Sequence, residues 1–458
     1  GNQNAVGGDG DVTISGGTIT ATGGSLGAGI GGGAYGNGTV TVTDGDITAK
    51  ATGNYGAGIG GGFGAIPKDT LIGGNGTVTI SGGTITEASG GYMAAGIGSG
   101  YQGLGTVTIE GDAVIKNAQG GEAGAGIGSG TYGDSEIIIR GDAVIENAES
   151  SGNGAGIGSG QGDLYPDGDG MVIDPTVGNV TIEGNAKIEN AKSGYGGSGI
   201  GGGTIGIGNV IIRGNAQIGN ATGGEEGAGI GGGALGTGDV SIEGNVTIEN
   251  AQGGAGAAGI GGGAETEPDT EDTRNKVSIK STEAGSPDIT ATGGGASDSS
   301  LPGAAAIGSG SVADGATEVK SDITVEGKVT INATGGGDVA IGDSINGETQ
   351  FSGLQVGTTI TRRNAKGDDI SKPGDVPEPE KPAQPTVTPT EGAEAPSTGS
   401  VEVERPVTVE GLYVTNVLGK QITHTCTQNG TTLTIRANGI VTSAHLTLGM
   451  VRTLKAQG

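Results

Sequence analysis

An Ile-Gly motif, mostly spelled Ala-Gly-Ile-Gly-(Gly/Ser)-Gly, recurs ten times along the first three-quarters of the chain. Its isoleucines are Ile30, Ile59, Ile97, Ile127, Ile157, Ile200, Ile230, Ile260, Ile307 and Ile341. Successive copies lie 29, 38, 30, 30, 43, 30, 30, 47 and 34 residues apart. A base period of about thirty residues indicates stacked structural units, each too small to bury its apolar face without its neighbours.

Each repeat contains three short stretches in which apolar and polar residues alternate. In the repeat that begins at Asn179, the first stretch places Val180 and Ile182 on one face. The second places Ala186 and Ile188 together, and the third has its isoleucine between glycines. Short alternating runs bounded by Gly, Asn and Asp are typical of β-strands, and no helical period occurs. The sequence therefore predicts an all-β fold, a right-handed parallel β-helix of about ten coils with three strands per coil.

Composition supports a solenoid and restricts the partners. Glycine accounts for 108 of the 458 residues, whereas the chain has eight Tyr, two Phe and no Trp. A β-helix coil needs only a few inward Ile, Val and Ala, so this composition suffices. The net charge of −28 disfavours nucleic acid and anionic membrane surfaces. No stretch approaches the ~20 apolar residues of a membrane span, so we expect no nucleic-acid partner and no direct membrane insertion.

Five asparagines occupy the same slot of successive repeats, each followed by alanine: Asn117, Asn147, Asn190, Asn220 and Asn250. If they point inward at a corner, their amides can hydrogen-bond to one another. They would also satisfy backbone groups that a tight bend leaves without partners. We therefore predict an inward asparagine ladder.

Seven of the eight tyrosines lie in the turns beside the Ile-Gly segment or in a neighbouring insertion: Tyr35, Tyr55, Tyr92, Tyr101, Tyr132, Tyr165 and Tyr195. Tyrosine beside a flat sheet can stack on sugar rings and hydrogen-bond through its hydroxyl, so these residues form the predicted ligand-binding site. The alternative is that they cap coil corners and cover glycine backbone. Long insertions at residues 63–74, 161–177 and 264–276 all follow the Ile-Gly segment, which indicates one binding edge.

Glycines such as Gly29 and Gly31 flank most of the repeat isoleucines and permit two interpretations. They could leave the outer face of the third strand bare for a ligand. Alternatively, they could adopt backbone angles, and allow close approaches, that other residues do not tolerate.

Acidic residues gather in the insertions, where they offer carboxylates to calcium. The predicted calcium ligands are Asp163, Asp167, Asp169 and Asp174. The loop lacks the bidentate glutamate of a calcium-binding loop at the required spacing, and solvated acidic loops are the alternative. The sequence indicates no other cofactor.

Catalysis has little support in the repeats. The repeat body contains no histidine, which excludes Ser-His and Cys-His arrangements there. A carboxylate pair such as Glu183 and Glu189 would suit a glycosidase. The sequence thus leans against an enzyme without deciding the question.

The repeat pattern fades after Ile341. Residues 371–400 contain seven prolines among Glu, Lys and Thr, which is typical of an extended linker. Residues 401–458 alternate again and contain two Asn-Gly pairs, which favour hairpin turns. We predict a β-helix over residues 1–370, a Pro-rich linker over 371–400 and a small antiparallel β domain over 401–458.

The Gly-Gly-Thr-Ile-Thr-Ala-Thr-Gly-Gly and Gly-Ala-Gly-Ile-Gly-Gly-Gly repeats resemble those of secreted and cell-surface parallel β-helix proteins of Gram-positive, often gut, bacteria. The resemblance covers residues ~10–345 and is specific for the fold. It implies an extracellular or cell-surface role in adhesion or in binding a polysaccharide or host glycan. A polysaccharide-cleaving lyase or glycosidase and a purely structural stalk are the alternatives. The chain shows no signal peptide, so we expect targeting segments to have been removed.

Overall fold

A computed structural model describes residues 7–64, 73–167, 170–265, 274–297, 301–312, 319–344, 347–351 and 353–377, together with six short strands between residues 405 and 445. The chain divides into two compact units, Gly1–Lys381 and Pro382–Gly458. The first unit is a parallel β-helix, which confirms the predicted fold. Its coils run along three walls, which we name A, B and C in chain order, and most coils contribute one strand to each wall.

Walls A and B belong to one 20-stranded sheet. In the first two coils, a single strand runs through both walls: Gly10–Gly23 and Gly38–Ala51. The other strands of wall A are Gly76–Ile80, Gly105–Ile109, Ser135–Ile139, Thr176–Ile182, Gly206–Gly214, Gly238–Gly244, Asn275–Lys280 and Ser321–Glu326. Those of wall B are Thr84–Ser89, Val114–Ile115, Ala118–Gly120, Val144–Ser150, Lys187–Lys192, Gln217–Thr222, Thr247–Gln252, Asp288–Thr292, Thr330–Thr334 and Thr359–Arg363.

Wall C consists of the Ile-Gly segments and forms an 11-stranded sheet that a short antiparallel strand, Gly347–Glu348, completes. Its parallel strands are Ile30–Gly31, Ile59–Gly60, Ile97–Gly98, Ile127–Gly128, Ile157–Gly158, Ile200–Gly201, Ile230–Gly231, Ile260–Gly261, Ile307–Gly308 and Ile341–Asp343. The register places each repeat isoleucine beside that of the next coil, as Ile127 lies beside Ile157. Both are fully buried. Each such isoleucine contributes on the order of 1.5–3 kcal/mol through burial.

Wall B contains a one-residue bulge that the repeat pattern did not predict. In the second coil, one residue, Thr48, separates the inward Ile47 and Ala49, whereas two residues separate Ile85 from Ala88 in the third coil. The register shifts at this point and shifts again between the eighth and ninth coils. Coils three to eight therefore each have two consecutive outward residues in wall B.

The asparagine ladder lies on the outside of this bulge, so the predicted inward orientation is wrong. Asn147 is half-buried, and its Nδ2 donates to Asn117 Oδ1 at 3.3 Å and to the Lys116 carbonyl oxygen at 3.1 Å. Asn190 repeats the arrangement one coil further along. A bulge takes one carbonyl out of the strand ladder, and the asparagine amide supplies the missing donor. The asparagines therefore satisfy backbone groups, as predicted, but they do so on the outer surface of wall B and not inside a corner.

Side chains close the C-terminal end of the β-helix. In every earlier coil, the N–H of the repeat isoleucine donates to a backbone carbonyl oxygen of the next coil. In the last coil, the N–H groups of Ala340 and Ile341 donate instead to the two carboxylate oxygens of Glu348. Fully buried Arg362 then bonds Glu348 at 2.6 Å and Asp375 at 2.8 Å. Residues 371–377, which the sequence pattern assigns to the linker, thus lie against the β-helix. Residues 378–400 lie outside the described residues.

The described strands of the second unit are antiparallel, as predicted. One three-stranded sheet contains Arg405–Val407, His424–Asn429 and Thr432–Ala437, and another contains Gln421–Ile422, Tyr413–Thr415 and Ser443–His445. Short strands of this kind need packing against further apolar surface to be stable in water. Cys426 and Val414 supply part of it, because both are buried.

Candidate functional site

Backbone covers the glycines of wall C, so the interpretation of a bare ligand face is wrong. The glycine after each repeat isoleucine has a φ between +128° and +146°. A Cβ on Gly60 would lie 1.9 Å from the Gly98 carbonyl oxygen, and one on Gly58 would lie 2.6 Å from that of Gly96. Backbone angle and the close approach of the next coil therefore require glycine at these positions.

The chain folds back on itself around each repeat isoleucine. Ala57, two residues before Ile59, donates its N–H to the carbonyl oxygen of Gly61, two residues after it, at 2.9 Å. Between coils, Tyr101 donates its N–H to the carbonyl oxygen of Tyr55 at 3.0 Å. The turn that follows wall C in one coil therefore lies beside the turn that precedes it in the neighbouring coil. This corner gathers side chains from two coils at a time.

Five aromatic rings meet at this corner in the first four coils. Phe63 contacts Tyr35 and Tyr55, with ring centroids 5.1 and 4.8 Å apart. Tyr101 stacks on Phe63 at 5.6 Å, with the ring planes 15° apart, and contacts Tyr55 at 5.5 Å. Tyr132 extends the row beyond Tyr101 at 5.7 Å. All five are half-buried, and we call this row the aromatic ridge.

Phe63 is the member of the ridge that the sequence reasoning missed. The insertion pattern makes it the first residue of an insertion, yet it follows Ile59 by four residues, as Tyr101 follows Ile97. Its position within the repeat could have identified it. Tyr35 and Tyr132 have positive φ values of 59° and 61°. That conformation belongs to the turn, because Gln102 and Leu235 share it at equivalent positions.

A carboxylate borders the ridge at its far end. Asp163 lies at the start of a hairpin formed by Asp163–Asp167 and Gly170–Asp174. Burial, followed by the charge of Asp163 and a hydrogen bond to its carboxylate, raises the pKa of Tyr132. Burial also raises the pKa of Tyr101, with smaller contributions from Tyr132, Tyr55 and Asp163. The ridge therefore combines apolar ring surface with hydroxyl groups and a negative neighbour.

The other three predicted tyrosines lie apart from the ridge and are more exposed. Tyr92 and Tyr195 precede wall C and are 48% and 52% exposed, and Tyr165 lies on the hairpin. A hydrogen bond to Glu122, and its charge, raise the pKa of Tyr92. In the seventh and eighth coils, the same corner carries Glu225, Glu226 and Glu265 in place of rings.

Of the four predicted calcium ligands, the structure places Asp163 and Asp174 opposite each other on a hairpin. Asp163 pairs with Asp174 across the hairpin, to which Asp167 also belongs, and Asp169 lies outside the described residues. Asp163 accepts a hydrogen bond from the backbone N–H of Leu164 at 2.9 Å. Within the described parts of the chain, no group of three or more His, Cys, Asp and Glu side chains could hold a metal ion.

Both carboxylates of the suggested glycosidase pair, Glu183 and Glu189, contact a cationic side chain. Glu183 accepts a hydrogen bond from Arg213 Nε of the next coil at 2.7 Å, and Glu189 pairs with Lys187 at 2.8 Å. Each of the two carboxylates therefore has a cationic partner of its own, on the next coil for Glu183 and on the same strand for Glu189.

A family model described as a beta helix repeat matches residues 12–34 and 78–101. Those segments span wall A to wall C of the first and third coils, where the structure shows stacked parallel strands. The chain is a parallel β-helix repeat protein. Comparison of this β-helix protein with the curated proteins and with the solved structures found no match. The part of the β-helix protein that the structure describes contains no helix capable of spanning a membrane.

Proposed function

We propose that this protein is a non-catalytic, extracellular glycan-binding protein whose aromatic ridge is the binding site. The observation that carries the proposal is the unbroken row of Tyr35, Phe63, Tyr55, Tyr101 and Tyr132 across four coils, with neighbouring rings 4.8–5.7 Å apart. Clustered half-buried rings on a surface mark interaction sites.

The chemistry of the ridge suits a neutral carbohydrate. Aromatic faces stack on the apolar face of a pyranose, and the tyrosine hydroxyls and Asp163 exchange hydrogen bonds with sugar hydroxyls. An anionic polysaccharide would meet a carboxylate at the ridge and a net charge of −28 over the chain. A polysaccharide or a neutral cell-surface glycan is therefore the proposed partner.

The test is a glycan array probed with the full chain, followed by calorimetry on the strongest neutral ligand. The variant Tyr101→Ala with Tyr132→Ala removes two adjacent rings and should weaken binding by on the order of ten- to a hundredfold. The matched control, Lys116→Ala with Glu146→Ala, alters wall B of two adjacent coils, the fourth and fifth, and should leave the affinity unchanged.

Three results would overturn the proposal. Equal binding by the tyrosine variant and the parent would make the ridge a corner cap. Release of shorter saccharides during incubation with the ligand would indicate a polysaccharide-cleaving enzyme. An array without any ligand would favour a structural stalk.

A further inference from the structure

A second groove lies on wall B, on the outer surface beside the asparagine ladder. It has a volume of about 300 Å³ and is lined by Glu87, Asn117, Ala118, Gln119, Asn147 and Glu149. That volume is at the lower end for small-molecule sites and suits one sugar unit at a time. No residue of the aromatic ridge lines the groove, so a ligand could bind here whether or not the ridge binds a neutral glycan.

The middle asparagines of the ladder use both of their N–H groups within the protein. An asparagine amide has two N–H groups and an oxygen with two lone pairs. Asn147 Nδ2 donates to Asn117 Oδ1 and to the Lys116 carbonyl oxygen, at 3.3 and 3.1 Å. Asn190 Nδ2 donates in the same way to Asn147 Oδ1, at 3.2 Å. The oxygens of Asn117 and Asn147 then each keep one lone pair for a ligand. Asn117 Nδ2 makes one hydrogen bond, to the Thr86 carbonyl oxygen at 3.4 Å, and the Gln119 amide adds an acceptor and two donors to the groove.

The rims of the groove add two carboxylates to these acceptors. Glu87 forms an exposed ion pair with Lys50 at 2.7 Å. Glu149 lies in register with Gln119 on one side and Lys192 on the other, and has no ion-pair partner among the described residues. The two carboxylates and the free amide oxygens give the groove an excess of acceptors and a negative charge, which favour a ligand that is rich in donors and preferably cationic.

The spacing of the ladder indicates what kind of chain fits. Its amides repeat once per coil, at the ~4.8 Å separation of neighbouring strands. An extended peptide places side chains on one face about 6.8 Å apart, so lysines would fall out of register with the ladder. We propose that the groove binds a chain of amino sugars with free amines, in which the ammonium group lies between Glu87 and Glu149 and sugar hydroxyls donate to the ladder.

The test compares a glucosamine pentamer with its fully N-acetylated form by calorimetry on the full chain. Acetylation removes the positive charge and leaves one N–H donor where the ammonium group had three. The pentamer should bind at least about tenfold more tightly than its acetylated form. Equal affinity of the two would overturn the proposal, as would equally tight binding of spermine or pentalysine, because the groove would then be a general polycation surface.

Two charge-matched variants locate the site. Glu87→Gln with Glu149→Gln removes both groove carboxylates and should weaken pentamer binding about tenfold. Glu136→Gln with Glu243→Gln removes two exposed charges from wall A and should change it less than about twofold. Equal losses in both variants would show that net charge, not the groove, attracts the ligand. Neither variant touches the aromatic ridge, so binding of a neutral glycan remains a separate measurement.

Discussion

Arg362→Met should detach the C-terminal cap while leaving the coils intact. The guanidinium is fully buried and donates to Asp375 at 2.8 Å through both Nε and a terminal nitrogen, and to Glu348 at 2.6 Å. Its removal leaves two carboxylates buried without a cation. Losing one partner of a buried ion pair costs about 3–5 kcal/mol. A solenoid unfolds locally, so this cost should appear at the cap first.

Hydrogen exchange measures the effect residue by residue. The amides of Ala340 and Ile341, which donate to Glu348, should exchange about 10²- to 10³-fold faster in the variant. The amide of Ile127, in a middle coil, should keep its protection. Arg213→Met is the matched control, because its ion pair with Glu183 is exposed and worth about 0–1 kcal/mol. Unchanged exchange at Ala340 and Ile341 would refute the reasoning, and the added changes Glu348→Gln and Asp375→Asn should restore part of the protection.

Three further predictions concern the coils. Asn190→Ala removes three hydrogen bonds at a half-buried bulge: Asn190 donates to Glu146 and Asn147 and accepts from Asn220. It should lower the free energy of unfolding by about 0.5–1.5 kcal/mol; denaturation equal to the parent would show that water replaces the amide without cost. Gly128→Ala places a Cβ 1.9 Å from the Gly158 carbonyl oxygen at a φ of +137° and should cost well over 1 kcal/mol, whereas Gly24→Ala, with open space around it, should be nearly neutral. Burial and the neighbouring Glu265 and Glu225 raise the pKa of Glu226, so its ionised form opposes folding above that pKa. Glu226→Gln should therefore raise the melting temperature at neutral pH, and the gain should shrink as the pH falls through the raised pKa; a gain independent of pH would contradict this.

The repeat pattern was sufficient to predict the coil period, the three strands and the inward isoleucines, because burial repeats whenever the side-chain alternation does. It failed at Asn190, because strict alternation after Ile188 assigns this residue to the inward face, whereas the strand has two consecutive outward residues there. Ile188 and Ala191 are both buried, so two residues between them must point outward. A period-two pattern does not mark a bulge unless the inward alanine is recognised first.

The cap and the ridge escaped prediction for different reasons. The two carboxylate oxygens of Glu348 accept the hydrogen bonds that backbone carbonyls of the next coil accept elsewhere in the β-helix. Because a side chain does this only once, the repeat pattern of the sequence does not reveal it. The tyrosines of the ridge were identified from their position beside the repeat isoleucine. Their mutual contacts were not, because the turns before and after wall C meet only when neighbouring coils stack.

Tyrosine fluorescence during titration with a neutral glycan found on the array tests the central claim most directly. The chain has eight tyrosines and no tryptophan, and four of the eight lie in the aromatic ridge. Binding at the ridge should change the tyrosine emission with the same saturation curve as calorimetry, and Tyr101→Phe with Tyr132→Phe should preserve stacking while altering the amplitude. Calorimetric binding of that glycan without any change in tyrosine emission would contradict the account, because the ligand would then lie away from the ridge.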